Sequence, residues 1–220
     1  MSAVDERREE RERMVERIEQ SASSAWPISK RVLDAMAEVP RHLFLPAELA
    51  HLAYESMALP IGCGQTISQP EVVAVMIELA DPQPEDVVLD VGTGSGYQAA
   101  VLSRLAGQVY GIERVRELVE RAVDCLERLG ISNVEVRCGD GFLGWPEHAP
   151  YAAILIAAAT PEVPEPLLDQ LAVGGRLVAP LGRPGWQQLV RLVRESEVAV
   201  KREEVMPVSF VPFLRGLDDG

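Results

Sequence analysis

The sequence has no apolar run near the roughly 20 residues that a membrane-spanning helix needs, so no membrane partner is expected. Its first 20 residues, MSAVDERREERERMVERIEQ, are charged throughout and contain no apolar stretch of the kind a secretory signal carries. There are only three cysteines, Cys63, Cys125 and Cys138, with no CxxC spacing among them and one necessarily left over. That usage fits a reducing compartment, and the cytoplasm is the expected location. The three histidines, His42, His51 and His148, are scattered, so no metal site is expected. No Lys/Arg-rich run is found, and the net charge of −13 repels nucleic acid over most of the surface, so no nucleic-acid partner is expected either. What is present, 47% hydrophobic and 25% charged residues in a chain of 220, suits one well-buried domain, expected to be a monomer.

The pattern along the chain changes near its middle. Residues 5 to 20 mix acids and arginines at helical spacing. The stretch SASSAWPIS, Ser21 to Ser29, breaks that helix, and RVLDAMAEV then carries Val32, Leu33, Met36 and Val39 on one helical face up to Pro40. LPAELAHLAY is a further short helix candidate. Residues 1–60 therefore read as an N-terminal helical extension on a core of residues 61–220, one domain overall. From Asp86 onward strand and helix alternate. DVVLDV, QVYGIE, NVEVR, YAAILIAAA and RLVAPL are the strands, and RVRELVERAVDCLERLG is an amphipathic helix closed by Gly130. PEPLLDQLA reads as a last helix stopped at Gly174-Gly175. Such alternation predicts an α/β fold, a doubly wound and mostly parallel sheet with right-handed crossovers. After GRPGW two strand-like runs follow with no helix between them, so antiparallel strands should finish the sheet.

VLDVGTGSGY follows the first of these strands and opens a helix, the context in which a Gly-rich motif carries weight. Gly92, Gly94 and Gly96 let the backbone turn tightly and a ligand approach closely. The dinucleotide fingerprint GxGxxG is absent, because Tyr97 stands three positions after Gly94. Three acids lie at three successive strand ends: Asp90, Glu113 and Asp140, the last followed by Gly141. Glu113 can accept from both ribose hydroxyls, and Asp140 from an adenine amino group. Acids at all three positions suit a ligand with ribose, adenine and positive charge but no phosphate. S-adenosyl-L-methionine answers that description.

With these motifs in view, the chain resembles the protein-L-isoaspartate O-methyltransferases over roughly residues 30 to 213. RVLDAMAEVPRHLFLP is similar to the family's entry helix with its Val-Pro-Arg. VLDVGTGSGYQAAVLSRLAG resembles its cofactor loop, and GDG its adenine-side acid. ATPEVPEPLLDQL, GGRLVAPLG and FVP also match, while LPIGCGQTISQP resembles the most specific segment. The resemblance implies a seven-stranded class I methyltransferase sheet. It also implies transfer of a methyl group from S-adenosyl-L-methionine, leaving S-adenosyl-L-homocysteine, to the carboxylate of an L-isoaspartyl residue in a damaged peptide or protein. The ester would then collapse to a succinimide, which opens partly to normal aspartate.

By position the resemblance implies Ser68 as the active-site serine. It places Ile61, Gly62, Cys63, Gly64, Gly92, Glu113, Asp140 and Gly141 at the cofactor, and the backbone near Phe210 and Val211 at the substrate. Asp90, Gly94, Gln65 and Thr66 are expected on the cofactor side as well. A carboxylate acceptor has a pKa near ~4 and is already ionised at neutral pH, so no general base is required. Ser68 is then a hydrogen-bond donor and not a nucleophile, for which a base and a GxSxG turn would be needed. The bland alternative for Thr66 and Ser68 is capping of the helix that begins at Pro70. Glu71 and Ser209 depart from the family pattern by removing aromatic or positive character beside the acceptor. They motivate an alternative, a dedicated peptide aspartyl O-methyltransferase that drives imide formation.

Overall fold

A computed structural model describes residues 7–22 and 26–218. Residues 5 and 6 of the expected first helix, and 23–25 of the expected break, lie outside the described residues. The seven strands of the main sheet are β3 (Val87–Val91), β4 (Gln108–Glu113), β5 (Val134–Cys138), β6 (Tyr151–Ile156), β7 (Leu171–Arg183), β8 (Trp186–Arg194) and β9 (Val200–Val208). Their spatial order is β5-β4-β3-β6-β7-β8-β9. The first five strands run parallel, β8 is antiparallel to β7, and β9 is antiparallel to β8. The expected antiparallel finish is thus a meander, in which β9 regains the direction of β7.

A separate antiparallel hairpin, β1 (Leu59–Gly62) and β2 (Gln65–Ile67), precedes the sheet. The helices are α1 (Arg8–Ser21), α2 (Lys30–Glu38), α3 (Pro70–Ala80), α4 (Tyr97–Leu102), α5 (Arg116–Arg128) and α6 (Glu165–Asp169). Strand alternation sends Val88, Ala153, Leu155, Val178 and Leu189 to one face of the sheet, where α1 to α5 pack. Leu89, Val91, Ile154, Ile156, Ala179 and Val190 face the other side, against Leu167 of α6 and Trp145. The winding is therefore lopsided, with five of the six α-helices among the described residues on one face. Met14 and Ile18 of α1, with Val32 and Met36 of α2, are buried in the same apolar cluster as α3.

Two expectations need correction. LPAELAHLAY forms a 3-10 turn over Ala47–Leu52 with Pro46 as its N-cap, and another 3-10 turn, Arg41–Phe44, precedes it, so no α-helix forms here. The glycines at 174 and 175 do not stop a helix: α6 ends at Asp169, and both lie inside β7. The register between β6 and β7 jumps from Tyr151↔Leu171 to Ala153↔Arg176, so the glycines sit in a bulge.

Candidate active site

β3 lies at the centre of the sheet with β4 on one side and β6 on the other, so the strand order reverses between β3 and β6. Open α/β sheets bind ligands outside the carboxyl ends of their strands at such a reversal. Two adjoining clefts occupy that place and share Thr66, Ala157 and Val211 as common wall. The first encloses about 530 Å³ and is lined by Ser68, Gln69, Val72 and the segment from Met206 to Val211. The second, about 50 Å³, is lined by Gln65, Gly92, Gly94, Ile112, Glu113, Arg114, Gly141 and the segment from Val211 to Leu214.

The Gly-rich turn after β3 forms one wall of the second cleft. Gly92 and Gly94 have φ of +80° and +56°, the left-handed region where a side chain is strained. Glu113 holds this turn: its Oε2 accepts from the Gly94 amide at 2.9 Å and its Oε1 from the Val115 amide at 3.0 Å. Each carboxylate oxygen keeps a further lone pair for a ligand.

Asp90 is not in the cleft. Strand alternation turns residue 90 toward the α4 side, where Oδ1 accepts from Gln98 Nε2 at 2.7 Å in a fully buried environment. Its Oδ2 is buried with no partner among the described residues. Burial pushes the carboxyl up to about 6, against the lowering effect of the Gln98 hydrogen bond, while Thr93 Oγ1 donates to the Asp90 backbone carbonyl at 3.0 Å. A raised folded-state value means stabilisation that is complete below the unfolded value near ~4 and is lost as pH rises through about 6. Asp90→Asn should therefore stabilise the ligand-free protein at pH 7.5 by roughly 2 kcal/mol, a difference vanishing below pH ~4. Urea denaturation of both proteins from pH 4 to 8 checks it.

Asp140 stands beside the second cleft, next to its lining residue Gly141. It caps the 3-10 turn Gly141–Leu143, with Oδ1 accepting from the Phe142 amide at 2.9 Å, and its Oδ2 accepts from the Gly216 amide at 2.9 Å. Its neighbour Gly141 does line the cleft, and a Cβ there would come within 2.7 Å of Val91 Cγ1 and 2.8 Å of Phe213. The C-terminal segment is fastened across this end. Arg114 pairs with Asp218 at 2.8 Å, Arg114 Nε donates to the Gly216 carbonyl at 3.0 Å, and Phe213 stacks on Phe142 at 4.2 Å.

The hairpin positions Ser68. Arg121 Nη1 donates to the Ile61 carbonyl at 2.7 Å, tying β1 to α5, and Ile61 is buried against the Gly94 turn. Gly62, Cys63 and Gly64 form the hairpin tip with φ of +93°, +52° and +67° and stand outside both clefts. Thr66 and Ser68 do not cap α3: Gln69 is its N-cap, and no side chain bonds the helix start. Among the described residues no group hydrogen-bonds the Ser68 hydroxyl, which leaves it available to the first cleft. Pro70 occupies the first helical turn, as its missing N–H permits.

At the opposite wall, the expected backbone donor shifts by one residue. The Phe210 amide is already taken by Gln187 Oε1 at 2.6 Å, and Gln187 Nε2 donates to the Phe210 carbonyl at 3.2 Å. Among the described residues nothing accepts from the Val211 amide, so that is the free donor. Glu71 does not face the acceptor cleft. Its Oε1 accepts from Ser56 Oγ, and the residue lines a separate apolar cavity of about 310 Å³ with Trp26, Ile28, Val75 and Met206. Ser209 does line the first cleft. Sequence reasoning missed Ala157 and Ala158, although their place directly after β6 at the strand-order reversal marks them. It also missed Arg114, which directly follows β4 at the same end of the sheet, and Phe213 and Leu214, for which no local signal exists. Among the described residues no group of three or more His, Cys, Asp or Glu could hold a metal ion.

The sheet order, the Gly-rich turn at its reversal point and the acid ending the next strand define a class I methyltransferase. Within that class the chain belongs to the protein-L-isoaspartate(D-aspartate) O-methyltransferase family, whose model matches residues 10–217. It is 52% identical over 185 residues to protein-L-isoaspartate O-methyltransferase 2 of Nitrosococcus oceani, covering 84% of each chain. To the protein-L-isoaspartate O-methyltransferase of Aeropyrum pernix it is 50% identical over 215 residues, 96% of this chain and 82% of the relative. A solved protein-L-isoaspartate O-methyltransferase superposes with a TM-score of 0.81 at 30% identity, spanning 92% of this chain and 65% of the solved one. A Plasmodium falciparum chain crystallised with S-adenosyl-L-homocysteine shares the fold at a TM-score of 0.80 and 23% identity, over 93% of this chain and 98% of that one.

Proposed function

We propose that this enzyme methylates the carboxylate of L-isoaspartyl residues in peptides and proteins from S-adenosyl-L-methionine, which starts repair through a succinimide. The observation that carries the reading is the unclaimed hydroxyl of Ser68, facing a large cleft that shares a wall with the Gly-rich turn. S-adenosyl-L-methionine supplies an electrophilic methyl group when bound. The residues fit such a ligand chemically. Glu113 offers lone pairs to the ribose hydroxyls, and the buried, unpartnered Oδ2 of Asp90 under the turn suits nearby positive charge. Asp140 stands beside the cleft-lining Gly141, and each of its carboxylate oxygens, which accept from the Phe142 and Gly216 amides, keeps a further lone pair for an adenine amino group.

On the acceptor side, Ser68 Oγ and the Val211 amide can both donate to the same carboxylate oxygen, which leaves the other for attack. The protein's work there is positioning and exclusion of water, since the acceptor has no proton to lose. The three cysteines are free, which supports a cytoplasmic setting, and the net charge of −13 favours a monomer through self-repulsion. The dedicated aspartyl-peptide reading loses one of its two motives, because Glu71 is turned to Ser56 and away from the acceptor. Methyl transfer measured on an isoaspartyl peptide and its aspartyl twin decides the matter. The isoaspartyl form should be turned over at least about a hundredfold more efficiently, ~3 kcal/mol in the barrier. Equal turnover of the two, or none of the isoaspartyl form, would sink the reading.

A further inference from the structure

Arg41 is completely buried, at 0% exposure, in a chain that places its other arginines mostly at the surface. It opens the 3-10 turn Arg41–Phe44, and its guanidinium is spread over three partners. Nε donates to the Ala53 carbonyl at 2.8 Å and Nη2 to the Ser68 carbonyl at 2.7 Å, while the plane lies 4.8 Å over the ring of Tyr97. Nη1 is buried without a partner among the described residues. Burial lowers its pKa to about 10, with Tyr97, Glu71 and Tyr54 opposing, so the group stays charged at neutral pH.

A buried charge costs several kcal/mol of desolvation, and an apolar side chain of similar volume would pack the same space at no such cost. What the guanidinium offers instead is geometry. Ala53 ends the turn before the hairpin and Ser68 follows the hairpin, so two prongs of one rigid fork pin both stems of the segment 53–68. Tyr97, the third partner, is the first residue of α4, directly behind the Gly-rich turn. The same side chain thus contacts the acceptor strand end and the helix that carries the cofactor turn.

We propose that Arg41 is a positioning residue for methyl transfer, which fixes Ser68 through its carbonyl so that the hydroxyl meets the acceptor carboxylate. This rests on the reading that Ser68 binds the acceptor. Arg41 itself touches neither reactant: it is absent from the lining of both clefts. A lysine at 41 keeps the charge and loses the fork, so the effect of geometry can be separated from that of charge.

The test compares wild type, Ser68→Ala, Arg41→Lys and the double variant, with kcat/KM on an isoaspartyl peptide and the calorimetric Kd for S-adenosyl-L-homocysteine. Arg41→Lys should lower kcat/KM at least about tenfold while the Kd stays within about twofold. In the Ser68→Ala background the same change should cost less than about twofold, because the hydroxyl it positions is gone. Equal penalties in the two backgrounds would overturn the proposal, as would a Kd that worsens in step with kcat/KM; both mark a merely structural arginine. If Ser68→Ala alone leaves kcat/KM intact, the acceptor assignment falls and the clamp with it. Should Arg41→Lys not fold, nitrogen-15 NMR of the wild-type guanidinium gives the answer. With S-adenosyl-L-homocysteine already bound, the Arg41 Nη signals should shift further on adding isoaspartyl peptide, and no further shift with peptide rejects the clamp.

Discussion

Glu113→Ala should raise the dissociation constant for S-adenosyl-L-methionine by about 10²–10³-fold, or ~3–4 kcal/mol. Two contributions add. A hydrogen bond between a ribose hydroxyl and a carboxylate is worth ~1.5–3 kcal/mol, and Glu113 can make two of them. The carboxylate also holds the Gly94 and Val115 amides, at 2.9 and 3.0 Å, so its loss releases the turn that forms the cleft wall. Glu113 is only 5% exposed, and truncation leaves the buried Val115 N–H without an acceptor, at ~1–3 kcal/mol, and the half-buried Gly94 N–H to the cleft. Folding stability should drop together with affinity, so titrations belong well below the variant's thermal midpoint. Glu113→Gln separates the contributions. It retains one acceptor oxygen but sets an NH₂ group against a backbone N–H, so affinity should fall by roughly tenfold. Turnover at saturating cofactor should stay within a few-fold of wild type in both variants, because neither touches the acceptor cleft. A calorimetric Kd for folded Glu113→Ala within about threefold of wild type would remove Glu113 from the cofactor site.

The parts of this site that were legible in the sequence are those fixed by local physics. VVLDV, QVYGIE and YAAILI are apolar, β-branched-rich runs, and each is a buried parallel strand, as alternation with helices requires. The turn after β3 could be placed because glycines at 92 and 94 permit its positive φ. Glu113 could be placed because it ends the neighbouring strand. The hairpin escaped because its strands are 4 and 3 residues long, one with a proline, which is too little for a periodic signal. Asp90 and Asp140 were found as strand-end acids, but what their oxygens bond depends on Gln98 and on Gly216, 76 residues downstream of Asp140. The Phe210 amide is claimed by Gln187, 23 residues upstream. Arg41 grips carbonyls 12 and 27 residues away. Sequence thus reveals which residues stand at a strand end, while their hydrogen-bond partners are decided by packing between distant segments.

Ser68→Ala should lower kcat/KM on an isoaspartyl peptide by about 10- to 100-fold and leave cofactor affinity within about twofold. The size follows from the chemistry of the acceptor. As a carboxylate oxygen attacks the methyl group, negative charge drains from the carboxylate, so a donor binds the ground state more tightly than the transition state. Electrostatics alone would make Ser68 a slight hindrance. Its benefit is therefore geometric: held by Ser68 and the Val211 amide, one carboxylate oxygen is fixed and the other is left free for in-line attack. The fixed oxygen becomes the carbonyl oxygen of the ester and remains an acceptor, so the hydrogen bond survives the reaction. Loss of such an interaction should appear in both kcat and KM, unlike loss of a purely transition-state contact, which would leave KM unchanged. The pH profile should stay flat from about 7 to 8, above the Asp90 titration, in wild type and variant alike, because no serine alkoxide is formed and the acceptor is ionised throughout. Ser68→Thr keeps the hydroxyl and adds a methyl group, so it should recover most of the lost turnover if the half-buried site tolerates the extra carbon. Three outcomes would exclude the positioning role: a sharp basic limb in the wild-type profile, a covalent intermediate on Ser68, or a large rise in cofactor Kd with turnover unchanged.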